Sequence, residues 1–126
     1  MIQSEAKQDI TVMIVDDHQM VREGLRSMLE VPDIRIIGEA ESGQQAIEEI
    51  KTLTPDVVLM DIRMPGMDGL AALTAINEAQ LSSRVIMVTT YRSTSYLLQA
   101  LAKGAAGFIL KDIPQEDLIA TIRAVA

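Results

Sequence analysis

Five polar residues stand where short apolar segments of the sequence end. Asp16 and Asp17 follow one such segment, Asp61 a second, Thr89 a third and Lys111 a fourth. If the segments are neighbouring parallel strands, their carboxyl ends meet at one edge of a sheet. Three carboxylates about 5 Å apart would repel by about 3 kcal/mol per pair at an effective dielectric constant of about 20, so positive charge must offset them.

Magnesium is the cation that we expect at this edge. Lys111 supplies one positive charge, whereas Mg²⁺ supplies two and typically binds one or two carboxylates together with waters and a phosphate oxygen. A carboxylate beside Mg²⁺, an ammonium group and a hydroxyl group is also well placed to accept a phosphoryl group. We therefore interpret Asp61 as the nucleophile that forms an aspartyl phosphate.

Apolar segments and amphipathic stretches alternate along the chain. The strands are predicted at 10–15, 34–38, 57–60, 84–88 and 107–110. Five helices are predicted: one ending near 31–32, one opened by Ser42 and stopping before Pro55, one opened by Asp68, one at 96–103 with Gly104 past its end, and one with Pro114 at its first position. Non-alternating apolar strands separated by helices predict a parallel sheet covered on both faces. The fold class is therefore α/β, a flavodoxin-like doubly wound five-stranded sheet with strand order 2-1-3-4-5.

Length and composition limit the alternatives. The 126 residues fit one domain at 10–126, preceded by a frayed or disordered tail at 1–9. A net charge of −7 and 2% aromatic residues disfavour nucleic-acid binding by this chain. The chain has no cysteine and one histidine, which excludes disulfides and a multi-histidine metal site. No apolar run is long enough to span a membrane and no signal peptide is evident, so we expect a cytoplasmic protein.

Four sequence motifs resemble those of a known family. VDD at 15–17, MDIRMPGMDG at 60–69, VTT at 88–90 and GFILKD at 107–112 are similar to motifs of the CheY-like receiver domains of two-component response regulators. The sequences of these motifs are most similar to those of the LuxR/NarL-type subfamily, and the resemblance covers about residues 10–126.

The resemblance implies a role for each residue at the predicted edge. Asp61 would be the phospho-acceptor, and Asp16, Asp17, Asp61 and the backbone carbonyl of Arg63 would hold Mg²⁺. Thr89 and Lys111 would contact the phosphoryl group.

The resemblance also implies a conformational switch and partners. When the phosphoryl group draws Thr89 inward, the ring of Phe108 would fill the vacated space and alter the face around helix four, strand five and helix five. The donor would be the histidine of a sensor kinase. Family members usually carry a C-terminal helix-turn-helix domain, which would bind DNA and would lie outside these 126 residues; a single-domain regulator is the alternative. Dimerisation on phosphorylation is a further expectation.

Arg63 and Tyr91 stand two residues after Asp61 and Thr89, so we expect them to flank the phosphoryl site. Our hypothesis is that these bulky side chains slow the attack of water. We expect His18, by contrast, to be a solvated residue that opens a helix, neither a metal ligand nor a phosphoryl donor.

Three other functions remain open on the residues alone. A haloacid dehalogenase-type phosphohydrolase also uses a strand-end aspartate and Mg²⁺, but it needs a second aspartate where this chain has Arg63. A flavodoxin-like nucleotide or flavin module would need a glycine-rich loop after strand one, where DDHQM stands instead. An interaction domain with an unused pocket is the third alternative.

Overall fold

Branched and other apolar side chains predominate in the strand segments, as expected for a sheet whose central strands are buried on both faces. The computed structural model describes residues 9–126. The strands are β1 Ile10–Val15, β2 Ile34–Ala40, β3 Val57–Asp61, β4 Arg84–Thr89 and β5 Gly107–Leu110. The helices are α1 Gln19–Met28, α2 Gly43–Leu53, α3 Gly69–Glu78, α4 Thr94–Ala102 and α5 Gln115–Val125. All strand pairs are parallel and the order is β2-β1-β3-β4-β5, which confirms the predicted fold.

The sheet separates two apolar layers. Alternate residues of the central strands point to opposite faces, so Met13 and Met60 pack with α2 and α3 while Ile14 and Leu59 pack with α1 and α5. Both layers are almost fully buried. The central strands are therefore fixed from both sides, and so are the residues at their ends.

Local capping explains most helix starts. The hydroxyl of Ser42 accepts a hydrogen bond from the backbone N–H of Gln45 at 3.1 Å, and the carboxylate of Asp68 accepts one from Ala71 at 2.8 Å. Both contacts match the predicted caps. Past the end of α4, Gly104 has a φ of +82°, the left-handed conformation that glycine adopts readily.

Several boundaries differ from the sequence prediction. α1 ends at Met28, before the predicted end near 31–32, and β3 and β4 each continue one residue further than predicted, to Asp61 and Thr89. β2 continues to Ala40, two residues further than predicted, and the pairing of β1 with β2 shifts register after Val12. α4 begins at Thr94 because the hydroxyl of Ser93 caps it. Pro114 is the N-cap of α5, with a ψ of 148°, and not its first helical residue.

The predicted tail at 1–9 lies outside the described residues except for Asp9, which is exposed. Among residues 9–126, none of the helices has the length and apolar character needed to cross a membrane.

Candidate functional site

The carboxyl ends of β1 and β3 bring the three predicted carboxylates together. The register pairs Val15 with Met60, so Asp16 and Asp61 are the next residues on adjacent strands. Asp16 is 1% exposed and Asp61 is 5% exposed. Oxygen atoms of these two residues and of Asp17 lie within 4.8 Å of one another, in a group that also includes His18.

Lys111 reaches this acidic cluster from the end of β5. Its ammonium nitrogen lies 2.7 Å from Asp16 Oδ2 and 3.4 Å from Asp61 Oδ1. β4 lies between β5 and β3, so the lysine side chain has to extend past the end of β4 to make both contacts. Only 15% of that side chain is exposed. The structure therefore places the predicted lysine against the predicted carboxylates.

Thr89 lies at the same edge of the sheet, at the end of β4. Asp61 pairs with Val88, so Thr89 is one residue beyond the strand position that faces Asp61. Thr89 is fully buried; its hydroxyl accepts a hydrogen bond from the backbone N–H of Tyr91 at 3.1 Å. Its carbonyl accepts one from the N–H of Lys111 at 2.9 Å.

The electrostatic balance of the cluster disfavours charge on Asp61. Burial and repulsion from Asp16 raise the pKa of Asp61 from 3.8 to about 6, although Lys111 and the backbone N–H of Arg63 act in the opposite direction. Burial acts to lower the pKa of Lys111, but its contacts with Asp16 and Asp61 outweigh this and raise it. The carboxylates of the cluster therefore carry more negative charge than the single ammonium group of Lys111 neutralises.

Asp17 supplies independent support for a cation site. Its Oδ1 atom is buried and makes no hydrogen bond with any of the residues that the structure describes. A buried carboxylate oxygen without a donor is costly unless a cation satisfies it. An all-oxygen set of three carboxylates is the chemistry that Mg²⁺ prefers, so the residues fit this ion.

The ring of His18 is solvent-exposed, as expected, but it also contacts the cluster. Its Nδ1 atom lies 3.2 Å from Asp16 Oδ1 and 3.2 Å from Asp17 Oδ1, while 65% of the side chain is exposed. The approach to Asp17 lacks hydrogen-bond geometry, which is why that oxygen remains without a donor. Sequence reasoning missed these contacts, for which the adjacency of His18 to the acidic pair was the only signal.

Arg63 and Tyr91, the two residues predicted to flank the phosphoryl site, contact each other. The guanidinium carbon of Arg63 lies 4.7 Å from the centroid of the Tyr91 ring, within the range of a cation–π interaction. The ring of Tyr91 in turn meets that of Tyr96 edge to face, with centroids 6.3 Å apart. Arg63 and Tyr96 also line a cavity of about 340 Å³.

Phe108 lies on β5 opposite Met87 of β4 and is only partly buried. It lines an open groove of about 310 Å³ together with Leu97 of α4 and Leu110. The ring therefore has free space on one side.

Two residues near the cluster were not assigned a role from the sequence. A methyl group added to Gly69 would lie 2.1 Å from the carbonyl oxygen of Asp61, so the start of α3 rests directly on the backbone of β3. The side chain of Arg22 donates a hydrogen bond to the carbonyl oxygen of Asp16 at 2.5 Å. Both contacts involve backbone atoms, which leave no signature in a sequence.

Comparison with known proteins provides evidence about function that is separate from this geometry. A family model described as the response regulator receiver domain matches residues 12–123. The nitrate/nitrite response regulator protein NarL of Escherichia coli is 38% identical over 117 residues, which cover 92% of this chain and 54% of NarL. The transcriptional regulatory protein YdfI of Bacillus subtilis is 43% identical over 114 residues, which cover 90% of this chain and 53% of YdfI. The chain thus spans about half the length of these relatives.

Solved structures agree with this similarity. The receiver domain of the putative response regulator NarL from Mycobacterium tuberculosis superposes with a TM-score of 0.86 at 38% identity, covering 94% of each chain. A chain of the CheX–CheY–BeF3–Mg complex from Borrelia burgdorferi superposes with a TM-score of 0.89 at 29% identity, covering 98% of this chain and 94% of that one.

Proposed function

The chain belongs to the response regulator receiver domain family, and from this premise we propose that it is a phosphorylation-activated switch whose Asp61 accepts the phosphoryl group of a sensor histidine kinase. The observation that carries the proposal is the position of Asp61, a buried carboxylate at the end of a central strand, beside a lysine ammonium group that contacts both Asp61 and Asp16. Membership of this family favours the switch over the phosphohydrolase and flavin-module alternatives.

Each residue of the cluster has a distinct chemical role in this proposal. Asp16, Asp17, Asp61 and the backbone carbonyl of Arg63 would hold Mg²⁺, which when bound supplies positive charge to the transferring phosphoryl oxygens. One oxygen of Asp61 forms a bond to phosphorus while the P–N bond of the phosphohistidine breaks, and the electron pair returns to the ring nitrogen of the donor. Lys111 favours the ionised form of Asp61 and would offer an ammonium group to the phosphoryl oxygens.

Thr89 and Phe108 would convert the modification into a change of shape. The Thr89 hydroxyl contacts only the N–H of Tyr91 among the partners found in residues 9–126, so it can rotate toward a phosphoryl oxygen. The partly buried ring of Phe108 borders the groove beside α4 and can move as the threonine moves. A coupling of about 1–3 kcal/mol between two such packings would suffice for a switch.

The contact between Arg63 and Tyr91 supports their proposed role in restricting water. Replacing either residue with alanine removes one half of the stacked pair, so we expect Arg63→Ala and Tyr91→Ala to hydrolyse the aspartyl phosphate faster than the unmodified chain. The measurement is the decay of phosphorylated protein in fresh buffer, followed by intact mass. Unchanged or slower decay in both variants would contradict the role.

The partners follow from the same proposal. A sensor histidine kinase would be the donor, a C-terminal helix-turn-helix domain outside these residues would contact DNA and control transcription, and phosphorylation would promote a homodimer. These proposals agree with the relatives, whose names describe response and transcriptional regulators, and they imply a cytoplasmic location.

A direct test is incubation with Mg²⁺ and a small phosphodonor such as acetyl phosphate, followed by intact mass measurement. We expect one phosphoryl adduct, stable in acid and labile in base, that Asp61→Asn abolishes. Asp112→Asn is the matched control, because it removes an exposed carboxylate next to Lys111 and should leave the adduct intact. An adduct that persists in Asp61→Asn, or release of phosphate over many rapid turnovers, would contradict the proposal.

A further inference from the structure

Arg22 connects α1 to the backbone that carries the acidic pair. Its side chain is 12% exposed, and its Nη1 atom donates to the carbonyl oxygen of Asp16 at 2.5 Å. Its Nε atom donates to Glu39 Oε1 at 3.1 Å. The arginine is thus the link between a helix, a neighbouring strand and the residue that begins the acidic cluster.

Glu39 fixes the orientation of this arginine. It lies on β2, where it pairs with Ile14 of β1. Its other carboxylate oxygen accepts two hydrogen bonds from Arg26, at 2.7 Å and 2.5 Å. Both oxygens of Glu39 are therefore occupied, and the guanidinium of Arg22 is held against the sheet and not left free to rotate.

The carbonyl that Arg22 contacts belongs to the peptide group between Asp16 and Asp17. The N–H of Asp16 is already fixed by the carbonyl of Ala40 at 3.1 Å, so the arginine fixes the other side of the same residue. The orientation of a peptide plane sets ψ of the residue before it and φ of the residue after it. Holding this plane therefore directs both carboxylates, including the buried Asp17 Oδ1 atom that has no donor among the described residues.

We propose that Arg22 is a positioning residue that orients Asp16 and Asp17 for cation binding, and this inference rests on the proposed function. Contacts of this kind behind metal ligands typically change metal affinity by about 10- to 100-fold when they are removed. Arg22 never touches the cation in this arrangement and acts only through the backbone.

Charge and orientation predict opposite effects of removing Arg22. A positive guanidinium near a cation site repels the cation, so deleting the charge alone would tighten binding. Loss of orientation would weaken it. The sign of the change in Mg²⁺ affinity therefore separates a positioning role from a purely electrostatic one.

The test is calorimetric titration of the metal-free chain with Mg²⁺. We expect Arg22→Ala to bind Mg²⁺ about tenfold more weakly. We expect Arg22→Lys, which keeps one donor but not the planar pair of contacts, to fall between it and the unmodified chain. Arg123→Ala is the matched control, because it removes a two-bond ion pair with Asp33, and we expect unchanged Mg²⁺ affinity.

A second measurement separates positioning from chemistry. With a small phosphodonor, the Mg²⁺ concentration that gives half the maximal rate of phosphorylation should rise in Arg22→Ala, while the rate at saturating Mg²⁺ returns close to that of the unmodified chain. Circular dichroism establishes that each variant is folded; should Arg22→Ala not fold, the same comparison is made with Arg22→Lys.

The outcomes are distinct. Unchanged or tighter Mg²⁺ binding in the Arg22 variants would overturn the inference and leave the proposed function in place. Equal weakening in Arg22→Ala and Arg123→Ala would also overturn it, because the effect would then be general destabilisation. If the unmodified chain bound no Mg²⁺, the proposed function itself would fail, and the inference with it.

Discussion

The surroundings of Asp61 disfavour the ionised form of its carboxylate. Burial and repulsion from Asp16 together outweigh the favourable contacts with Lys111 and with the backbone N–H of Arg63, so the pKa of Asp61 rises to about 6. A change of one in pKa corresponds to about 1.4 kcal/mol, so ionising Asp61 in the metal-free protein costs about 3 kcal/mol relative to the unfolded chain. Such a carboxylate gains more than an exposed one when a cation arrives.

This cost predicts how Asp61→Asn alters stability with pH. Because the pKa of Asp61 is higher in the native state, the native state binds more protons than the unfolded chain between about pH 4 and pH 6. The free energy of unfolding therefore falls as pH rises through this window, and asparagine removes that loss. In urea denaturation with a chelator present, Asp61→Asn should exceed the unmodified chain by about 1–3 kcal/mol at pH 7.5 and by much less at pH 4.5.

The control for this prediction is Asp112→Asn, whose carboxylate is largely exposed. We expect its stability to stay close to that of the unmodified chain at both pH values. A stability difference between Asp61→Asn and the unmodified chain that does not change with pH would show that burial does not raise the pKa of Asp61.

The sequence identified the residues that stand at strand ends but not those that support them. Asp61 and Lys111 could be predicted because parallel strands bring their carboxyl ends to one edge. Arg22 and Gly69 could not, because an arginine on a helix and a glycine in a turn have many ordinary roles. Their contacts with backbone carbonyls depend on the depth at which α1 and α3 pack, which periodicity does not determine.

At the scale of elements, the turn from β3 into α3 fixes the position of Asp61 at the end of its strand. The N–H of Gly69 donates to the carbonyl of Ile62 at 2.8 Å, and the glycine lies against the carbonyl of Asp61. Asp68 then starts the helix with its side-chain cap. The turn thus brings α3 close to the strand end without covering the carboxylate.

Gly69→Ala should disturb this turn strongly. Its new methyl group would lie 2.1 Å from the carbonyl oxygen of Asp61 and 2.9 Å from the Met87 methyl group, so α3 or β3 must shift. We expect a loss of about 2–3 kcal/mol in unfolding free energy. Phosphorylation of Asp61 by a small phosphodonor should also slow, because the carboxylate moves with the strand.

Gly24→Ala is the matched control for this substitution. Within residues 9–126, no atom apart from the neighbouring residues and the backbone of the helix itself lies within 4 Å of a methyl group at Gly24 in the middle of α1, so alanine should stabilise the helix by up to about 1 kcal/mol. Similar effects of the two substitutions in urea denaturation would contradict a special role for Gly69.

The order of the elements could be predicted more fully than their ends. Apolar runs and helical stripes located all ten elements, and the two central apolar layers explain why these signals were strong. The residue at which each strand or helix begins or ends depends on individual hydrogen bonds and strand pairings. The hydroxyl of Ser93 caps α4, which begins two residues before its predicted start. β2 extends to Ala40, which pairs with Val15 after a register shift of one residue.

At the scale of the whole molecule, the cluster joins parts of the chain that are far apart in sequence. Asp16, Asp61 and Lys111 come from β1, β3 and β5 regions and meet only when the sheet has formed. An unfolded chain with a net charge of −7 would attract Mg²⁺ only diffusely. A cation held by this cluster therefore binds the native state in preference to the unfolded state.

Mg²⁺ should consequently raise the thermal stability of the chain. At a concentration ten times the dissociation constant, preferential binding to the native state contributes about 1.4 kcal/mol. For a domain of this size we expect a Tm increase of roughly 3–6 °C, measured by circular dichroism against NaCl of equal ionic strength. Asp17→Asn should lose most of this increase because it removes the carboxylate whose buried oxygen has no hydrogen bond within residues 9–126, whereas Arg123→Ala should keep it. An equal increase in Asp17→Asn, or the same increase with NaCl alone, would show that Mg²⁺ screens the surface charge and does not bind at the strand ends.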